Sequence, residues 1–87
     1  MHGDADTVNP FASSQTLYSS DRSGAARYLV RVRGGGHTDA FLSDRTRSAL
    51  VVLVDDFVRA SLGTDPDASA LVATDAWVPG LLDLVGA

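Results

Sequence analysis

The 87 residues fit one small domain, contain no cysteine and carry a net charge of −4 at neutral pH. Without cysteine the chain has no disulfide and no thiolate metal site, and its longest apolar run, Ala49–Val54, is much too short to cross a bilayer. The amino-terminal residues lack the cationic and apolar regions of a signal peptide, so we expect a cytoplasmic protein.

Residues 1–24 are predicted to form a flexible amino-terminal arm, followed by a domain over 25–87. Serines, a glycine and Asn9-Pro10 interrupt any periodicity in this segment. An ordered edge strand around Gln15–Ser19, or folding of the arm on a partner, is the alternative.

A β-hairpin is predicted over 26–42. Within Ala26–Arg33, an aromatic residue and two valines alternate with arginines, which is the period of a half-buried strand. Gly34–Gly36 can adopt positive φ and therefore suits the turn. Thr38–Leu42 would return as the second strand, anchored by Phe41.

A long helix is predicted over 44–62, capped by Ser43 or Asp44 and ended by Gly63. Its core stripe at helical spacing consists of Leu50, Leu53, Val54, Phe57 and Val58. A shorter helix over 66–76 and a helical turn over 80–85 are predicted to follow. The expected fold class is therefore α+β, with the hairpin packed on the long helix and a shorter carboxy-terminal helical region.

Six of the seven basic residues, all of them arginine, lie between positions 22 and 47, where there are only two acids. Strand alternation and the first turn of the long helix would bring five of these cations near a free helix amino terminus, which favours anions. The predicted anion- or nucleic-acid-binding residues are Arg27, Arg31, Arg33, Arg45 and Arg47. The alternative is a solvated face balanced by the aspartates.

An arginine-bearing strand before helices resembles the ribbon-helix-helix DNA-binding dimers, in which paired strands read the major groove. The chain departs from that pattern because a triglycine and a second predicted strand precede the helix. Its overall pI of about 4.7 is also acidic, whereas DNA-binding domains are usually basic. A nucleic-acid-binding regulator is therefore the alternative function.

Signals for catalysis are sparse. His37 and Asp39 would share a strand face and could form a dyad or two metal ligands, but no third ligand is evident. The nine serines include no GxSxG motif, and the triglycine lacks the spacing of a phosphate-binding loop. We expect no cofactor, no metal and no enzymatic activity, with a small enzyme or metal protein around His37 and Asp39 as a third possibility.

The carboxy-terminal half contains more apolar residues than a thin sheet would cover, which predicts an interface. The predicted interface residues are Val51, Val52, Trp77, Val78, Leu81 and Leu82. Because two strands alone are marginally stable, we expect a homodimer that joins two hairpins into a four-stranded sheet. The expected function is a non-catalytic protein–protein interaction, regulatory or assembly module that also binds another protein, away from membranes.

Overall fold

The computed structural model describes residues 1–24, 26–38, 42–63 and 65–86. Three helices and a three-stranded sheet form an α+β fold, which confirms the predicted class and both the long and the shorter helix. In chain order the elements are β1 (His2–Gly3), α1 (Phe11–Ser20), β2 (Leu29–Val32), α2 (Asp44–Leu62), α3 (Ala68–Asp75) and β3 (Leu82–Gly86).

The sheet has the order β1-β2-β3. Strand β1 runs parallel to β2, with His2 opposite Arg31, and β3 runs antiparallel to β2, with Leu82 opposite Val32. Within the described residues, the neighbours of β2 are thus β1 and β3 rather than the strand predicted at 38–42. Positions 39–41 of that strand lie outside the described residues. The homodimer of two joined hairpins stays a prediction.

The carboxy-terminal segment differs from its prediction. The expected helical turn over 80–85 is wrong, because Leu82–Gly86 is β3. Gly80, with φ of 74°, turns the chain so that Leu82 bridges back to Val78. The period-two alternation of leucines with Asp83 and Val85 suits a strand better than a helix.

Residues 1–24 contain two regular elements. Strand β1 joins the sheet, and Phe11–Ser20 is a helix, so the alternative of an edge strand around Gln15–Ser19 is wrong. No residue of α1 is fully buried. The flexibility of this segment stays a prediction.

Helix α2 begins and ends where the sequence predicts. The Ser43 hydroxyl accepts a hydrogen bond from the Thr46 N–H at 3.3 Å, which satisfies one of the free donors of the first turn. Gly63 adopts φ of 68° and its N–H returns to the carbonyls of Ala60 and Arg59. The two signals are local, which is why the bounds of α2 can be read from the sequence.

The core lies between the sheet and helices α2 and α3. Its fully buried apolar cluster consists of Val30, Val32, Leu50, Leu53, Val72, Ala76 and Leu82. The predicted stripe on α2 is only partly correct, because Val54, Phe57 and Val58 remain substantially exposed. Thr46 and Asp56 are buried in their place.

Candidate functional site

Two of the predicted anion-binding arginines are already paired within the chain. Arg31 and Asp83 face each other across β2 and β3, and both guanidinium–carboxylate bonds form, at 3.0 and 2.6 Å. The Arg33 Nε atom lies 3.1 Å from the same carboxylate. The hydrogen bonds from Arg31 lower the pKa of Asp83 despite its burial. A register-determined ion pair therefore occupies this part of the predicted anion face.

The remaining cations lie in separate places. Arg27 donates to the Tyr18 carbonyl at 3.3 Å and stacks over the Tyr18 ring, 4.8 Å from its centroid. Arg47 pairs with Asp44, and Arg45 is exposed in the first turn of α2.

A hollow of about 370 Å³ lies between Arg33 and the start of α2. It is lined by Arg33 together with Ser43 and Thr46 of the helix amino terminus. The structure thus gathers part of the predicted face at this point and spreads the other cations over the surface. Anion binding stays a prediction.

A larger groove, of about 920 Å³, runs along the outward side of α2. Its apolar side is formed by Leu50, Val51, Val54 and Val58. Val51 is 63% exposed, and both Val54 and Val58 are 44% exposed, so the fold leaves these side chains accessible. We call this feature the α2 groove.

The opposite side of the α2 groove carries a polar cluster in which the Asp6 carboxylate lies between two histidine rings. One carboxylate oxygen of Asp6 lies 3.0 Å from His37 Nδ1 and 3.3 Å from His2 Nε2. Burial opposes ionisation of this carboxyl, but the Asn9 N–H, the His37 ring and the Val8 N–H hold its pKa at about 2. Asp6 is therefore a fixed negative charge between two imidazoles at neutral pH.

This cluster was missed from the sequence. The sequence pattern pairs His37 with Asp39, which lies outside the described residues, and assigns no role to His2. The i,i+4 spacing of His2 and Asp6 is a weak local signal for their contact. The contact of His37 with Asp6 follows from the pairing of β1 with β2, for which the sequence gives no signal.

The predicted interface residues fall into three environments. Val51, Val52 and Trp77 are exposed, and Val78 and Leu81 are half-buried against the core. Leu82 has no exposed surface because β3 directs it into the core, so it is not accessible to a partner of the folded domain. The surface available for an interface is thus the outward side of α2 together with Trp77.

Within the described residues, the structure contains no group of three or more acidic, histidine or cysteine side chains placed to hold a metal ion. None of the helices in the described ranges is both long and apolar enough to cross a lipid bilayer.

Comparisons with known proteins give one similarity. The chain is similar to a probable isoprenylcysteine alpha-carbonyl methylesterase of Oryza sativa subsp. japonica, with 35% identity over 83 residues, or 94% of this chain. It spans only about a fifth of that relative, 20% of its length. No family model matches the chain. No solved structure matches it either.

Proposed function

We propose that this domain is a protein-interaction and assembly module that binds through the α2 groove, and that its first partner is a second copy of the chain. The observation that carries the proposal is the exposed apolar outward side of α2. The activity of the esterase belongs to a protein five times as long and is not part of the proposal.

The fold leaves an apolar strip of α2 exposed beside the core residue Leu50. Val51, Val54, Val58 and Leu62 recur at intervals of three or four residues and therefore lie along one side of the helix. All four are exposed, whereas Leu50 and Leu53 face the core. A continuous apolar strip on a small domain favours contact with another protein, because burying it there removes apolar surface from water.

Charge placement favours a second copy as that partner. Arg47, Val51 and Asp55 follow one another at intervals of four residues and all line the α2 groove. Two α2 helices crossing antiparallel about a twofold axis at Val51 would place Arg47 of each copy opposite Asp55 of the other. The strip is thus complementary to itself in hydrophobicity, and also in charge if Arg47 and Asp55 exchange their partners within the chain, Asp44 and Arg59, for each other across the axis.

The pairing of the arginines weighs against the alternative of a nucleic-acid-binding regulator. A phosphate would have to compete with Asp83 for both Arg31 and Arg33.

Light scattering after size-exclusion chromatography tests the proposal. We expect a dimer at high micromolar concentration that persists at high salt, because apolar association does not weaken with ionic strength. Val51→Asp should give a monomer, since it would bury two like charges at the axis. Leu17→Asp, a matched change at an exposed leucine on α1, should leave the dimer intact.

A monomeric wild-type chain, or a Val51→Asp dimer as stable as the wild type, would contradict the proposal. Circular dichroism of each variant checks that the substitution has not unfolded the domain.

A further inference from the structure

We propose that Ser14 is a nucleophile that accepts acyl groups from small aromatic esters, with His2 as its general base and Asp6 as the group that orients His2. This activity is separate from the proposed assembly function. It rests on a hydrogen-bonded series beside α1, in which His2 and Asp6 also line the α2 groove and Ser14 opens onto a different hollow.

The series begins at the Ser14 hydroxyl. Its Oγ atom lies 2.6 Å from His2 Nδ1, and the other ring nitrogen, Nε2, lies 2.7 Å from the Asn9 carbonyl oxygen. A carbonyl can only accept, so Nε2 carries the proton of the neutral ring. Nδ1 then carries the free lone pair of the ring, and the Ser14 hydroxyl donates a hydrogen bond to it. This is the protonation state that a general base for a serine requires.

Asp6 completes the arrangement. Its Oδ2 atom lies 3.3 Å from His2 Nε2, on the side of the ring away from Ser14. Its Oδ1 atom accepts from the N–H groups of Val8 and Asn9 at 2.8 and 2.9 Å, which fixes the carboxylate. With its side chain only 5% exposed, this anion stabilises the positive charge that His2 gains when it takes the serine proton.

The His2 ring is held in place by packing as well. It meets the Phe11 ring edge to face, with centroids 5.6 Å apart, and its backbone is paired with β2. The base is therefore positioned by a strand, an aromatic contact and a carboxylate.

Ser14 opens onto a hollow of about 480 Å³ that could hold an ester. Its lining combines the apolar and aromatic side chains of Leu17, Tyr18, Tyr28 and Leu29 with an ion pair, in which Arg27 Nε lies 3.7 Å from Asp21 Oδ2. The Tyr18 carbonyl and ring hold the guanidinium of Arg27 in this hollow. A cation there can stabilise the negative charge that develops on a carbonyl oxygen under attack.

The reaction balances with these groups and water. The Ser14 oxygen bonds to the ester carbonyl carbon as its proton passes to His2 Nδ1. The bond to the leaving oxygen then breaks, and the departing alcohol or phenol takes that proton. Water next attacks the acyl-serine and gives a proton to His2, which returns it to Ser14 as the carboxylic acid leaves.

The test uses p-nitrophenyl acetate and a fluorophosphonate with the full chain. We expect a stable adduct, located at Ser14 by peptide mass spectrometry, and release of p-nitrophenol. Ser14→Ala should remove the adduct, whereas Ser13→Ala, the exposed neighbour that does not contact His2, should keep it. His2→Gln should slow acylation by about 100-fold or more, the usual contribution of a general base.

Three results would overturn the proposal: no adduct on the wild-type chain, an adduct unchanged by Ser14→Ala, or release that survives Ser14→Ala but is lost in His2→Gln. The last result would identify His2 itself as the nucleophile. Ser14 is half-buried on α1, and its replacement by alanine, a strong helix former, should leave the chain folded, which circular dichroism checks.

Discussion

Along the 19 residues of α2, the inner face buries two leucines with a threonine and an aspartate, while the outer face exposes valines and a leucine. Thr46 and Asp56 are less exposed than Val51 and Leu62 on the opposite side. Hydropathy alone would place Val51 and Leu62 in the core and Thr46 and Asp56 at the surface. The position of the sheet and of α3 decides which face is buried, and the apolar face left outside is the one through which we propose that the domain binds a second copy.

The buried Asp56 of the inner face is paired through one of its two carboxylate oxygens. Asp56 accepts from Arg59 at 2.7 Å, and Arg59 also reaches Asp65 at 2.9 Å and Asp55 at 3.1 Å. Arg59 thus connects α2 to the residues that precede α3. A buried carboxylate of this kind costs free energy unless its partner remains.

Truncating one residue on each face of α2 compares directly how much the two faces contribute to stability. Leu53→Ala, in the core, should lower the free energy of unfolding by about 2–5 kcal/mol, because it removes buried methyl groups and leaves a cavity. Val51→Ala, on the outer face, should change the stability of the monomer by no more than about 0.5 kcal/mol. Urea denaturation at a concentration where the chain is monomeric measures both, and equal losses would mean that the two faces are alike.

A change that acts on the whole helix provides the next comparison. Ser43→Ala removes the side-chain acceptor for the Thr46 N–H and should cost about 1 kcal/mol. Because this loss does not depend on the face, it should add to Val51→Ala within a few tenths of a kcal/mol. Clear non-additivity in the double variant would show that the outer face contributes to the fold itself.

Acid titration distinguishes two carboxyl groups, Asp75 and Asp83, whose pKa values are shifted in opposite directions. The hydrogen bond that the protonated Asp75 carboxyl donates to Asp56, together with burial, raises the pKa of Asp75, whereas Arg31 lowers the pKa of Asp83. A raised pKa means that stability falls as pH rises from the unfolded pKa through the folded one. A lowered pKa means that stability is present above the unfolded pKa and is lost as pH falls through the folded one.

Asp75→Asn should therefore be more stable than the wild type at pH 7, and Asp83→Asn less stable. The Asp75→Asn difference should shrink as the pH is lowered toward about 4, the ordinary range for aspartate, whereas the Asp83→Asn difference should shrink only as the pH falls below that range. Denaturant unfolding across this pH range gives the two signs, and a shared sign would contradict the assignment.

The smallest expected effect lies on the outer face. Arg47→Asp or Asp55→Arg alone should weaken dimerisation by about 0.2–1 kcal/mol for each exposed pair lost, and the double exchange should restore it. Sedimentation equilibrium of the four chains measures the dissociation constants. If the double exchange stays as weak as either single change, the antiparallel contact about Val51 is wrong.

Local signals account for what could be predicted. Ser43 and Gly63 define α2 within a few residues of sequence, and Asp65-Pro66 marks the approach to α3. The strands β1 and β3 could not be found this way, because each is ordered by pairing with β2 across a long stretch of chain. The His2–Asp6–Ser14 series depends on that pairing and on α1. A prediction of residues 1–24 as a flexible arm therefore does not include it.

The pairing of β2 also has a consequence for how the chain folds. Helices α2 and α3 are joined by a short connection, so their contacts close at little entropic cost and should form early. Closing the sheet instead requires residues 2–3, 29–32 and 82–86 to meet, and such non-local contacts slow folding. During synthesis Val30 and Val32 would lack their β3 partners until position 86 had left the ribosome. Until then these valines would be exposed, so chaperones could bind them and they could promote aggregation.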